Sequence, residues 1–432
     1  TTSYDWNNIT VEDVANWVSG ITESKRVKLY SGPSLTFNNY SLSGTTSGDF
    51  EYGLDTNTTT PSASSVQASE IYFDVEKFRN AEKTVTASGW GILYAGRSKL
   101  GNTTTNNTLT LTNGLTWTSS NIYAGYTVGA GDSDGNHLIL KDDIYVDNSY
   151  VAYGGWSATG KAINNKVTIS NVTSNAYATV VSGGGSGDPS AEVTKGNTLE
   201  IQKKNNRLYS IYNFEKMSFD LASGVPSGSY MLHVVHSTGS AFDWKNITVS
   251  GLSTWAAEQA AANNNTPALT LYTGGWITLN NYQPSILGTA GDYEFGKHSD
   301  ASGTGTVTAT SVTLSGTRFQ NAGIGQNVTT PGATPRDTYA GLSVYGNTTN
   351  HNELNITGGS HTNARAGYTD ALNGGSDFNT LNLTGGNVTN GYAGYTTGVH
   401  LLVNPEDEEH PELVDTTKNA DAKNNTVNIN GG

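Results

Sequence analysis

Several stretches of this 432-residue chain hold residue types at spacings that could do chemistry. Asp132-Ser133-Asp134-Gly135-Asn136 places oxygen ligands at alternating positions, as a calcium loop does. The glycine such a loop needs at its sixth position is His137, and no acidic twelfth ligand follows, so an inter-strand turn is the expectation. Asp142-Asp143 reads the same way. Gly183-Gly184-Gly185-Ser186-Gly187-Asp188 is rich in glycine but precedes no helix and no Lys-Ser/Thr pair, so it reads as a loop rather than a phosphate cradle. His351 and His361 fall in expected turns and His400 at the start of an insertion, without metal-ligand spacing. No Gly-x-Ser-x-Gly elbow is present, and no carboxylate recurs at a fixed register of the kind that cleaves glycans. The expectation is a protein without enzymatic activity, metal or cofactor.

Two patterns point to binding instead. Tyr94, Tyr123, Tyr153 and Tyr392 recur in one register, with Tyr126, Trp156, Tyr368 and Tyr395 in the register three residues on. Such a stripe suits sugar rings and protein partners, and it equally covers a thin core. The second pattern is the acidic run Glu406-Asp407-Glu408-Glu409, inside an insertion at about 400–422. Insertions in solenoids gather on one face and often make the binding contacts; a solvated loop is the alternative.

The elements that position these residues follow from repetition. Asn352-Glu353-Leu354-Asn355-Ile356-Thr357-Gly358-Gly359 is written again from Asn379 to Gly386 and from Asn425 to Gly432. Each copy has two aliphatic residues two apart and a Gly-Gly stop, which predicts a short strand with one buried face. In the first half, Asn107-Thr108-Leu109-Thr110-Leu111 returns at Asn136, Asn165 and Asn197, at steps of 29, 29 and 32 residues. The Tyr-Ala-Gly phrase marches beside it from Tyr94 to Tyr123 and Tyr153. A period of 26 to 32 residues with short strands and Gly/Asn/Asp turns predicts an all-β fold, a right-handed parallel β-helix with one coil per repeat. Leu109 should then lie under Leu138 and Val167, with the asparagines forming an amide ladder.

A longer repeat overlies the short one. Asp5-Trp6-Asn7-Asn8-Ile9-Thr10-Val11, with Trp17, recurs 238 residues later as Asp243-Trp244-Lys245-Asn246-Ile247-Thr248-Val249, with Trp255. Two tandem modules result, 1–240 and 241–432. The first has an irregular start at 1–90, regular coils from 90 to 215 and closing strands at 213–235. The irregular starts admit irregular coils or a small subdomain, with helical turns at 11–17 and 252–263 and strands at Val27–Tyr30, Leu35–Phe37 and Phe50–Tyr52.

Composition agrees with a thin-cored β protein: 35% of residues are hydrophobic and 14% charged, with 51 Gly, 23 Tyr and 8 Trp. The net charge of −14 disfavours nucleic acid and anionic membrane surfaces as partners. The absence of cysteine rules out disulfides, thiolate zinc sites and thiol nucleophiles. No apolar run is long enough to span a membrane, and the chain stops at a repeat phrase, so it is expected to be a fragment whose signal peptide and anchor lie outside it.

The Asn-x-Leu-x-Leu/Ile-x-Gly-Gly and Tyr-Ala-Gly-Tyr phrases, with the Asn213-Phe214-Glu215-Lys216-Met217-Ser218-Phe219 closing strand, resemble the passenger region of large type V autotransporter adhesins of Gram-negative bacteria. The resemblance covers about 90–235 and 338–432. It implies a β-helix exported through a C-terminal barrel outside this sequence and displayed at the outer-membrane surface. It also implies adhesion to host-cell surface protein or glycan, to other bacteria, or to a second copy. A purely structural stalk and a β-helix carbohydrate-active enzyme are the alternatives.

Overall fold

The computed structural model describes residues 2–430 apart from 43, 59–63, 174–178, 223–228, 237–238, 324–326, 331–335, 371–373, 398–399, 404–411 and 416–421, and the backbone alone of 327–330, 336, 400–403 and 412–415. Strands hold 59% of the chain and helices 6%, in stacked parallel sheets that form a β-solenoid of about 12 turns. The all-β parallel architecture expected from the repeats is therefore the observed one.

Each coil begins at a corner that an ordinary L-residue avoids. Asn106, Gly135, Asn164 and Gly196, the residues just before the recurring asparagines, have φ of +52°, +67°, +55° and +70°. Asn tolerates this left-handed region and Gly has no Cβ to clash there, which explains the Asn/Gly preference at that point of the repeat. The strands that follow, Thr108–Leu111, His137–Lys141, Lys166–Ser170 and Thr198–Gln202, pair in parallel and in register. Leu109, Leu138, Val167 and Leu199 stack in one column, and Lys216–Asp220 and Ile247–Ser250 extend it with Met217 and Ile247. All six are at most 1% exposed. This sheet runs without interruption through residue 240.

Two expectations change. Gly358-Gly359 and Gly385-Gly386 do not end their strands, which run from Glu353 to Thr369 and from Thr380 to Thr396. Gly359 and Gly386 have φ of +88° and +85°, and the pairing shifts register beside them. The glycines make a bulge that turns the strand around a corner while its ladder continues. Likewise Val180–Ser186 is a strand rather than a loop. Its glycines answer crowding: a Cβ on Gly184 would lie 2.2 Å from the Ala162 carbonyl oxygen. His361 also lies in a strand, where it is 1% exposed and bonded to Thr338 and to the Gly358 carbonyl, rather than in a turn.

The irregular module starts are antiparallel subdomains. Lys25–Asn38 and Phe50–Thr56 both pair antiparallel with Ser65–Lys77. In the second copy Ala268–Tyr282 and Tyr293–Ser299 pair likewise with Gly305–Arg318. The Asp-Trp phrase explains itself locally. Asp5 accepts from the Asn7 amide at 3.0 Å and Asp243 from the Lys245 amide at 3.1 Å, capping a single 3-10 turn. Trp6 then packs on Tyr40 and Trp244 on Tyr282, each at 4.8 Å between ring centroids. The expected helical turns are Val14–Ser19 and Leu252–Ala261.

The copies differ at one buried position. Lys297, in Tyr293-Glu294-Phe295-Gly296-Lys297, stands where Phe50-Glu51-Tyr52-Gly53-Leu54 has leucine. The lysine is 3% exposed, donates to the Trp244 and Ile247 carbonyls, and lies 4.1 Å from the Trp244 ring. Burial pushes its ammonium down to about 8. A lowered folded pKa means that unfolding takes up a proton between about pH 8 and 10.5. Stability is thus greatest above the unfolded pKa and falls as pH drops towards 8. Replacing Lys297 by Leu is expected to remove about 3 kcal/mol of that dependence. The measurement is urea unfolding of variant and parent at pH 7 and pH 10.5, and parallel pH curves would refute it.

Candidate functional site

The best-formed exterior feature grows from the strand that follows each corner. Leu93–Ser98, Ile122–Thr127, Val151–Ser157 and Val180–Ser186 are parallel neighbours. Their register sets Tyr94 beside Tyr123, Tyr153 and Ser182, and Arg97 beside Tyr126, Trp156 and Gly185. Alternation along the strand then decides the rest. Leu93, Ile122 and Ala152 point to the core, the tyrosines point outward, and the glycine between them faces the asparagine ladder.

That ladder is wholly interior. Asn107 Nδ2 donates to Asn136 Oδ1 at 2.8 Å and Asn136 Nδ2 to Asn165 Oδ1 at 3.1 Å, and the amide oxygens also take backbone N–H groups of the preceding coil. Asn107, Asn136, Asn165 and Asn197 are fully buried. A Cβ on Gly96 or Gly125 would meet the Asn107 or Asn136 side chain at 2.1 Å and 2.4 Å. The Asn phrase and the Tyr-Ala-Gly phrase therefore form one device, seen from inside and outside.

On the outer face the rings stack along the rod. Tyr123 lies 5.4 Å from Tyr153 with planes 7° apart and 4.6 Å from Tyr126, and Tyr126 lies 5.1 Å from Trp156. Burial pushes the Tyr123 hydroxyl up to about 12 and raises that of Tyr153. Arg97 ends the ladder, 5.2 Å from the Tyr94 ring centroid and 3.6 Å from Glu76. In the second module Arg365 takes the centre of a similar group. Its guanidinium lies 5.5, 4.7, 5.7 and 4.7 Å from the rings of Tyr339, Tyr368, Tyr392 and Tyr395, and 3.3 Å from Asp337. Burial first, and then the Asp370 charge, push the Tyr368 hydroxyl up to about 12.

In comparisons with protein families, curated proteins and solved structures, nothing matches this chain.

The expected aromatic residues thus gather into two groups, Tyr94, Tyr123, Tyr126, Tyr153 and Trp156 in one and Tyr368, Tyr392 and Tyr395 in the other. Glu406, Asp407, Glu408 and Glu409 lie outside the described residues; the flanking His400–Val403 and Glu412–Asp415 pair as an antiparallel hairpin. The calcium-like stretch is an inter-coil turn. Asp132 accepts from the Lys161 amide, Asp134 from Asn164, and Asn136 belongs to the ladder. Among the described residues no group of three His, Cys, Asp or Glu could hold a metal.

Reading the sequence overlooked Arg97, Arg365, Tyr339 and Tyr212, and a pair of buried carboxylates that join each antiparallel subdomain to the first coil behind it. Glu51 accepts from Ser98 and Asn102, and Glu294 from Ser343 and Asn347, with exposures of 2% and 0%. A signal was present. Phe50-Glu51-Tyr52-Gly53 recurs as Tyr293-Glu294-Phe295-Gly296 at nearly the long-repeat offset.

Proposed function

We propose that this chain is part of a bacterial cell-surface adhesin, an autotransporter-type passenger that binds host cells, other bacteria or its own kind. The observation that carries the reading is the pair of outward aromatic groups, each built around an arginine, on a rigid stack of coils. Rings and a guanidinium held in place lose little conformational freedom on binding, which favours recognition of a sugar or protein surface. A second reading, a stalk that only spaces a binding tip, draws support from the same rings, because they spend much of their faces on one another and Tyr123 is only 7% exposed.

Beads coated with the intact chain distinguish the two. An adhesin segment retains epithelial or bacterial cells above the level of beads carrying a protein of equal size and net charge. Retention no better than that control leaves the stalk.

A further inference from the structure

The outer ladder has a missing rung. Tyr94, Tyr123 and Tyr153 follow one another coil by coil, the next coil puts Ser182 in that register, and the one after puts Tyr212. The row beside it loses its ring at the same level, where Trp156 is followed by Gly185. Adjacent strands are spaced about 4.8 Å, so two aromatic rungs with one left out stand about 9.6 Å apart at the backbone. A carbon atom needs about 4 Å from each ring face, which leaves the thickness of one ring between them.

The gap is a formed groove of about 230 Å³ rather than a collapsed seam. Tyr153 and Tyr212 wall it, Ser182 and Gly185 floor it, and Asp188 and Asn213 stand at its rim. Tyr153 is braced from behind by Tyr123 at 5.4 Å. Tyr212 is 41% exposed and, among the described residues, touches no other ring. The floor is fixed: Ser182 is 1% exposed and donates to the Gly184 carbonyl at 2.7 Å, and Asn213 donates to the same carbonyl at 2.8 Å. At the rim, Asp188 Oδ1 accepts from the Ser190 amide and hydroxyl, which orients the carboxylate and leaves Oδ2 for another donor.

We infer that this slot binds one neutral hexopyranose ring of a glycan, sandwiched between Tyr153 and Tyr212 with its hydroxyls bonded by Asp188 and Asn213. This rests on the reading that the aromatic ladder faces a ligand, and it names the ligand. A saturated ring offers C–H groups on both faces, which suit two electron-rich aromatic faces, and hydroxyls around its edge, which suit an acceptor and an amide at the rim. No lysine or arginine lines the groove. A nucleotide or a uronic acid would bring a charge with no cation to meet it, beside the Asp188 carboxylate. The volume falls below that of sites for drug-sized molecules, about 300 to 1,000 Å³, and matches a single ring.

The test uses the intact 432-residue chain and saturation-transfer NMR with the methyl glycosides of glucose, galactose, mannose and N-acetylglucosamine, with methyl glucuronide and AMP as charged probes. At least one neutral glycoside should bind. Tyr212→Ala, at an exposed position, should weaken it at least tenfold with an unchanged melting temperature. Ser182→Tyr should restore the rung and abolish binding. Failure of every neutral glycoside, unchanged binding in Tyr212→Ala, or preference for AMP or the glucuronide overturns the inference. If no glycoside binds while the coated beads still retain cells, the slot is wrong and the adhesin reading stands. If a glycoside binds and the beads retain nothing, the slot stands without adhesion.

Discussion

Replacing Asn136 by Ala is expected to destabilise the first module by about 3–5 kcal/mol. The side chain is fully buried. Its oxygen takes the Asn107 amide N–H and Nδ2, while its own Nδ2 serves the Thr104 carbonyl, Ser133 and Asn165. Alanine leaves these groups dry and unpaired, at about 1–3 kcal/mol each before relaxation. Gly125→Ala should cost about 2–3 kcal/mol by overpacking, because the new Cβ would arrive 2.4 Å from the same Asn136 side chain. The two changes share one space. Combined, they should cost clearly less than the sum of the singles, since removing the amide makes room for the methyl group. Urea unfolding of the four proteins in the cycle is the measurement. Strict additivity would mean that the Asn and Tyr-Ala-Gly phrases are energetically independent, contrary to the geometry.

Glu294→Ala should have the largest effect in the second module, about 3–4 kcal/mol. The carboxylate is fully buried and holds Thr317 of the antiparallel subdomain together with Ser343, the Val344 amide and Asn347 of the coil behind it. Its charge is met by donors alone; among the described residues no cation pairs with it. Truncation orphans four donors at a joint between two folding units, and some of that loss is offset because a desolvated charge is also removed. Glu51→Ala repeats the experiment in the first module, where Ser98, Asn102 and the Lys99 and Leu100 amides take the same places. Matching losses in differential scanning fluorimetry would establish the carboxylate as the duplicated joint. A shift below about 1 kcal/mol in both would show that the apolar packing holds the units together unaided.

The coil architecture was legible because a solenoid repeats its constraints at a short period. A strand spacing that recurs coil after coil forces Leu109, Leu138 and Val167 into a column, and their equal spacing in the chain reports it directly. The Gly-Gly corners were misread for a local reason. A glycine pair signals both a strand end and a bulge, and only the neighbouring coil, which keeps its ladder through Ser360 and Asn387, decides between them. The antiparallel subdomains have no internal period, so duplication could show that they were equivalent but not how they fold.

For the candidate site the division is similar. The recurrence of Tyr94, Tyr123 and Tyr153 in the sequence determined that an aromatic row exists, since side chains one coil apart must share a face. The empty place in that row is written there too, as Ser182 before Tyr212, but the lengths of the intervening segments hide it until pairing sets the register. Only the tertiary structure could decide that Arg97 and Arg365 sit among the rings and that Glu51 and Glu294 tie each subdomain to its coil. Each of those contacts joins residues from strands whose alignment is set by packing across the fold, not by any local pattern along the chain.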